Sequence, residues 1–267
     1  RLKTILCKAS DAMKKSFHIF GAIAIVLILW QSLVSLGGWN EALLPPPSRV
    51  AAGFGELLTD GVLLADIKSS LLRFAAGYLS SVLIAIFLGL LLGWYKNIWA
   101  FLNPIAQVLR PISPMAWLPF IVLFFGIGEM PALVIIFIAA FFPVLLATVA
   151  AVSNIEPVYL KVAQNFGIRQ PAVLTKIVLP AVFPSIATGL HLALGTAWVF
   201  LVAGEMVGAQ SGLGFLIIDA RNNLRADLLM AAIVTIGVLG LLLDSLVHLV
   251  ERWIYRRWGI QERSTAV

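Results

Sequence analysis

Charge is what this 267-residue chain has least of: only 12% of its side chains are Asp, Glu, Lys or Arg, about half the share of an ordinary soluble domain. A single cysteine, Cys7, rules out an intrachain disulfide and a cysteine-built metal cluster. Paired carboxylates, nucleophile triads and metal-ligand spacings are not discernible, which argues against a membrane enzyme. No Gly-x4-Gly-Lys-Ser/Thr loop is present to cradle a nucleotide. The run Gly208–Gly214 is glycine-rich but lacks the lysine. No internal repeat is visible, which disfavours carriers built from inverted repeats. No cleavable signal peptide is expected, because the first apolar run leads into a full-length span.

What the chain does have is apolar surface, at 61% of residues, more than a soluble fold of this size can hide. Six continuous apolar stretches are long enough to cross a bilayer: Phe17–Leu36, Phe74–Tyr95, Trp99–Phe125, Pro131–Val152, Pro184–Val207 and Leu228–Val250. An outer-membrane barrel would instead show short alternating segments. The expected fold is an all-α membrane protein, one transmembrane domain over 1–267, inserted in the lipid bilayer. The net charge of +6 would suggest nucleic acid in a soluble chain, but here it reads as membrane orientation, and no nucleic-acid partner is expected. With the N-terminus in the cytoplasm, Arg1, Lys3, Lys8, Lys14, Lys15, Lys96, Lys161, Arg169, Lys176, Arg252, Arg256, Arg257 and Arg263 share the inner side. Only Arg49, Arg221 and Arg225 lie clearly outside. The positive-inside rule therefore places both termini and the segment 153–183 in the cytoplasm. The outer segment 37–73 opens on Pro45-Pro46-Pro47 and offers a short amphipathic helix near Ser48–Leu58, read as a packing cap.

The segment 153–183 reads as two short helices too polar to span. Pro157 suits the first turn of one helix and Gly167 its C-terminal stop. Pro171 suits the first turn of the second, which Pro180 should close. Val158, Leu160, Val162, Ala163 and Phe166 supply apolar surface, and Lys161, Gln164 and Asn165 polar surface. Such an element should lie on the cytoplasmic face, available to a partner.

This segment resembles the EAA element of ABC-importer permeases: Glu-Ala-Ala, three residues, Gly, nine residues, then Ile-x-Leu-Pro. Gly167 is followed by residues 168–176 and then by Ile177-Val178-Leu179-Pro180, a full match to the second half. Ala163 matches the second Ala, whereas Lys161 replaces the Glu and Val162 the first Ala. The resemblance runs from about Leu44 to Trp258. It is most similar to the sulfonate, taurine and nitrate branch, through Leu44–Ser48, Ala116–Pro119, Phe125–Glu129, Leu201–Met206 and Gly212–Phe215. It implies a type I permease fold of six transmembrane helices in the bacterial inner membrane. It also implies a homodimer, two cytoplasmic ABC ATPase subunits that carry ATP and Mg, and a periplasmic or lipid-anchored substrate-binding protein. This chain would bind no cofactor itself. The ATPase-coupling residues would be Glu156, Lys161, Val162, Ala163, Phe166, Gly167, Ile177, Leu179 and Pro180.

Candidates for the substrate path lie on two spans. The third carries Pro104, Pro111, Pro114 and Pro119. Each removes a backbone donor and obstructs the preceding turn, so this span should be broken and interior-facing. Gln107, Arg110, Ser113 and Trp117 ride on it, and Arg110 suits an anion or a snorkelling position. The fifth carries His191, Trp198 and Glu205, the last as a gate, a docking residue or part of a turn. Glu129 reads as structural or as a binding-protein contact. Ala85, Gly89 and Gly93 permit close helix approach, and Asp244 and His248 are placed to pair. A stand-alone ion-coupled carrier or channel is the alternative, and it requires buried mid-span charges that only Arg110 and Asp244 could supply.

Overall fold

The computed structural model describes residues 21–22, 24–37, 43–168 and 170–258. Cys7, the N-terminal cations from Arg1 to Lys15, the start of the first stretch at Phe17, Arg169 and Arg263 lie outside the described residues. Every regular element among the described residues is helical. In chain order these are α1 (Ala24–Gly37), α2 (Pro47–Thr59), α3 (Val62–Trp94), α4 (Lys96–Leu109), α5 (Pro114–Phe125), α6 (Glu129–Ser153), α7 (Pro157–Asn165), α8 (Gln170–Val173), a π-turn over Leu174–Val178, α9 (Leu179–Gly208), α10 (Leu213–Asn222) and α11 (Ala226–Trp258). Four helices are long and apolar enough to cross a membrane: α3, the run Leu174–Gly208, α6 and α11. A fifth is added if α4 and α5, bent by 90° at their break, count as one span. α1 is apolar but shorter than a span over its described length.

The chain divides into two compact units, Arg1–Leu63 with Ile217–Val234 and Leu64–Leu216 with Thr235–Val267. In the first, α2 begins as expected, on prolines that supply no backbone donor at a helix start. It buries Val50, Gly53 and Leu57 on one face. A Cβ on Gly53 would lie 3.1 Å from Leu228 and 3.4 Å from Asp227, so α2 packs directly on the start of α11. α10 ends in a Schellman closure: Leu224 N–H donates to Arg221 C=O and Arg225 N–H to Ala220 C=O. Leu224 holds the left-handed position at φ 55°, where a β-carbon is costly.

The second unit holds the larger core. Ile135, Ile136, Val144 and Leu145 of α6 interlock with Ala193, Leu194, Ala197 and Leu201 of α9 and with Phe74, Tyr78 and Ala85 of α3. Helices in lipid gain little from burying apolar groups against one another, so close approach of small residues holds them together. On α3 that row is Gly77, Ser81, Ala85, Gly89 and Gly93, every fourth residue, and all five are buried. A Cβ on Gly77 would strike Ile136, one on Gly89 Thr148, and one on Gly93 Val152, all below 3.0 Å. The row foreseen for Ala85, Gly89 and Gly93 is thus spent on α6 within one chain. Large side chains on the opposite face, Leu79, Leu83 and Phe87, are exposed, as a lipid-facing surface requires.

Three boundaries differ from expectation for physical reasons. α3 starts at Val62 rather than Phe74, so the outer segment is shorter than 37–73. The polar residues Asp66, Lys68, Ser70 and Arg73 hid its first turns from a hydropathy reading. The third stretch breaks only between Leu109 and Pro114, and Pro104 and Pro119 ride inside α4 and α5. Pro180 does not close a helix. It sits in the first turn of α9, and the chain continues into it through the π-turn. A locally wider turn accommodates the proline ring against the carbonyl four residues earlier.

Candidate functional site

Two features of the second unit carry side chains arranged beyond what packing requires. The first is α7 and its turn. Glu156 is its N-cap residue and Pro157 opens it. Its C-terminus closes as a Schellman motif: Gly167 N–H donates to Gln164 C=O and Ile168 N–H to Ala163 C=O, both at 3.0 Å. Gly167 holds φ +64° with open space where a Cβ would be. Only backbone strain, about 1–2 kcal/mol for an L-residue, selects glycine there.

Ala163 is the anchor of α7, 2% exposed. It clusters with Val152 of α6, with Val173 and Val178, and with Val182 and Ile186 of α9. Leu90 and Trp94 of α3 border the same cluster, together with Ile177 and Leu179. The other face is bare. Val158, Val162 and Phe166, at i, i+4 and i+8, form one stripe on the helix surface. All three are exposed, Phe166 by 78%, with Tyr159 beside them. Lys161, Gln164 and Asn165 flank the stripe, exposed as well. The structure therefore brings the expected coupling residues together at one end of α3, α6 and α9. Ala163, Ile177 and Leu179 pack inward, and Lys161, Val162 and Phe166 point outward.

The second feature is a buried junction that links α3, α9 and the start of α10. Glu205 is fully buried and saturated with donors. Ser70 Oγ donates to it at 2.8 Å, Arg73 Nη1 at 2.8 Å and the Gly214 N–H at 2.9 Å. Arg73, 3% exposed, also donates through Nη2 to Glu129 Oε1 at 2.9 Å and to Ser211 Oγ at 2.6 Å. Asp66 accepts the Gly212 N–H at 2.7 Å, and Ser70 Oγ accepts the Leu213 N–H at 2.9 Å. Three consecutive N–H groups that α10 would leave unpaired at its N-terminus are thus satisfied by α3 and α9 side chains. Gly212 and Gly214 are required by contact: a Cβ on the first would overlap the Glu205 carboxylate, and one on the second the Val202 carbonyl and Glu205. Glu129 lies at the start of α6 with its carboxylate largely exposed.

Asp66, Ser70 and Arg73 were not foreseen as members of the junction around Glu205, although their i, i+4, i+7 spacing marks one face of a helix. The remaining path candidates fall in three places. Gln107, Arg110, Ser113 and Trp117 gather at the bend between α4 and α5. Arg110 is the exposed residue that ends α4, and Ser113 caps α5 by accepting the Met115 N–H at 3.3 Å. Trp198 is in the core, edge-on to Phe74, its indole N–H donating to Ile236 C=O at 3.2 Å. His191 faces α11, where Asp244 and Glu251 take its two ring nitrogens. Asp244 and His248 approach within 3.8 Å, as their spacing suggested.

Residues 81–258 match the family described as binding-protein-dependent transport system inner membrane component. Among curated proteins the chain is similar to the putative aliphatic sulfonates transport permease protein SsuC of Bacillus subtilis, 33% identical, covering 86% of this chain and 83% of that protein. It is equally similar to the taurine transport system permease protein TauC of Escherichia coli, 33% identical over 87% of this chain and 86% of that one. The nitrate import permease protein NrtB of Synechocystis sp. is 34% identical over 86% of each. Among solved structures, an inward-facing MetNI methionine ABC transporter chain superposes with a TM-score of 0.62. The match has 16% identity and covers 73% of this chain and 97% of that one. At that identity the likeness is one of fold.

Proposed function

Because the chain belongs to the family of binding-protein-dependent transport system inner membrane components, we propose that it lines the membrane path of an ATP-driven importer and that the outward stripe of α7 is where an ATPase subunit docks. The observation that carries this reading is the pairing of a buried Ala163 with an exposed Val158–Val162–Phe166 stripe on a helix outside the spans. An isolated nine-residue helix is marginal in water, and exposed aliphatic and aromatic groups on it are costly unless a partner covers them. The sequence lacks a phosphate-cradling loop, so ATP and Mg belong on that partner.

The working assembly in this reading has two copies of the chain, two ATPases on the cytoplasmic side and a substrate-binding protein on the other. It sits in a bacterial inner membrane, with six crossings once the first apolar stretch is counted from Phe17 and both termini in the cytoplasm. ATPase closure pushes on α7. The push passes through the cluster around Ala163, Val173 and Val178 into α9, so the path opens alternately to each side. Coupling of this kind requires that the ATPase contact α7 differently in the two states. The solute is a small anion of the sulfonate, taurine or nitrate kind. Support comes from what the relatives are named for and from Arg110 on the exposed elbow between α4 and α5.

The test is co-purification from membranes with the cognate ATPase. Val162→Asp and Phe166→Asp should each weaken ATPase association by about 30-fold, roughly 2 kcal/mol, with the permease inserted at its normal level. Unchanged association with both variants would overturn the docking assignment. Arg110→Ala should lower anion flux while leaving the assembly intact, and unchanged flux would remove the anion assignment alone.

A further inference from the structure

We propose that His191, Asp244 and His248 form a binding site for a divalent transition-metal ion, with Glu251 as the residue that orients both imidazoles. The inference is independent of the transport reading and rests on how four side chains from α9 and α11 face one another. Glu251 Oε2 lies 2.8 Å from His191 Nε2 and 3.5 Å from His248 Nδ1. One carboxylate oxygen thus engages one nitrogen of each ring. The opposite nitrogens converge on a different carboxylate: His191 Nδ1 is 3.2 Å from Asp244 Oδ1, and His248 Nε2 is 3.8 Å from Asp244 Oδ2. The two rings lie 4.1 Å apart, tilted by 38°.

This is the arrangement of a metal-ligating histidine whose far nitrogen is held by a carboxylate, which fixes the tautomer and aims the free nitrogen at the ion. Here Glu251 holds His191 in this way at 2.8 Å and lies 3.5 Å from the second imidazole, His248. Glu251 is 7% exposed, and its second oxygen, Oε1, is buried without a hydrogen-bond partner among the described residues. A buried carboxylate oxygen that accepts no hydrogen bond is costly, and a cation beside it offsets that cost. One ligand atom from each of His191, Asp244 and His248 lies within 4.8 Å of the others. Tetrahedral ligation at zinc distances needs ligand separations of about 3.4 Å. The His191–Asp244 distance already meets that. His248 is half-exposed and free to close the rest by rotation. Two imidazoles and a carboxylate, with a fourth position open to water, match Zn2+ and its late first-row neighbours better than Mg2+ or Ca2+. A bound ion would fasten the middle of α9 to the C-terminal half of α11.

The experiment uses the full chain purified in detergent, stripped with a chelator and titrated with Zn2+ by calorimetry, with bound metal counted by mass spectrometry. Near one ion per chain is expected. His248→Ala and Asp244→Asn should each weaken binding at least tenfold, and His191→Gln likewise. Glu251→Gln, which keeps the shape but not the charge, should weaken it about 10- to 100-fold. Co2+ in place of Zn2+ should give the visible bands of a four-coordinate ion, altered in Glu251→Gln. Because His248 is half-exposed, its replacement leaves the packing intact, and an unchanged melting profile confirms that. Absence of saturable binding would show that the four side chains pair only with one another, and the proposal fails. Binding that His248→Ala and His191→Gln both leave unchanged would place the ion elsewhere and overturn the proposal as well.

Discussion

At the scale of residues, the Arg73–Glu205 pair decides how firmly α3, α9 and α10 are joined. Both charges are withdrawn from solvent and share Ser70, Ser211 and the α10 N-terminus as further partners. Deleting one member of such a pair leaves the other buried and uncompensated, at a cost of about 3–5 kcal/mol. Glu205→Ala should destabilise the purified chain by that amount in a thermal or denaturant melt. Arg73→Met combined with Glu205→Ala should cost well under the sum of the two single changes. Additivity within about 0.5 kcal/mol would show that the pair is not coupled. Glu205 was recognisable from the sequence as a charge beside glycines at a span end, but its role was not. Its side-chain partners Ser70 and Arg73 lie more than a hundred residues away, and nothing local to Gly204–Gly214 announces an arginine. The aligned polar face at Asp66, Ser70 and Arg73 was there to be read, yet apolar windows discount the polar first turns of a long helix.

At the scale of elements, α2 is tied down by a guanidinium clamp within the first unit. Arg225 grips Glu56 with both terminal nitrogens, at 2.6 and 3.1 Å, and reaches Asp227 as well. The hydrogen bond from Arg225 holds the Glu56 carboxyl below its ordinary range. The two carboxylates, Asp227 foremost, raise Arg225 beyond any accessible pH. A depressed carboxyl contributes stability that is complete above its unfolded pKa and is lost as pH falls through the folded one. The clamp should therefore hold at neutral pH and release on acidification below the normal glutamate range. Spin labels at Ala52 and Asn222 should report a narrow distance distribution at neutral pH that broadens in acid. In Glu56→Gln it should be broad throughout. The pair is solvent-exposed, so high salt should weaken it too. Helices α2 and α7 were legible because proline starts and a glycine stop are local signals. The bend at 110–113 was legible as a break but not in position, since four prolines offered four places for it. The π-turn before Pro180 was not legible, because a helix that widens to pass a proline reads in sequence like one that ends.

At the scale of the molecule, the long helix α6 separates two exposed positions of the second unit. Ile127 lies just before its start and is 71% exposed, whereas Phe166 follows its end. Its 25 residues rise roughly 37 Å at 1.5 Å per residue, more than the ~30 Å hydrocarbon layer. In the orientation proposed above, Phe166 faces the cytoplasm. In a Cys7→Ser background, Ile127→Cys should react with a membrane-impermeant maleimide on intact spheroplasts, and Phe166→Cys only after permeabilisation. The reverse pattern would turn the chain over and remove α7 from any cytoplasmic partner.

The row of glycine, serine and alanine along α3 has a mechanical corollary. The branched side chains of Thr148 and Val152 rest where Gly89 and Gly93 leave hollows, so a shift along the helix axis would ram them into the larger residues between. The two rods are keyed against slippage and travel as one slab. Whatever rearrangement accompanies work must be taken up at joints instead, and the right-angled elbow between Leu109 and Pro114 is the obvious one in this unit.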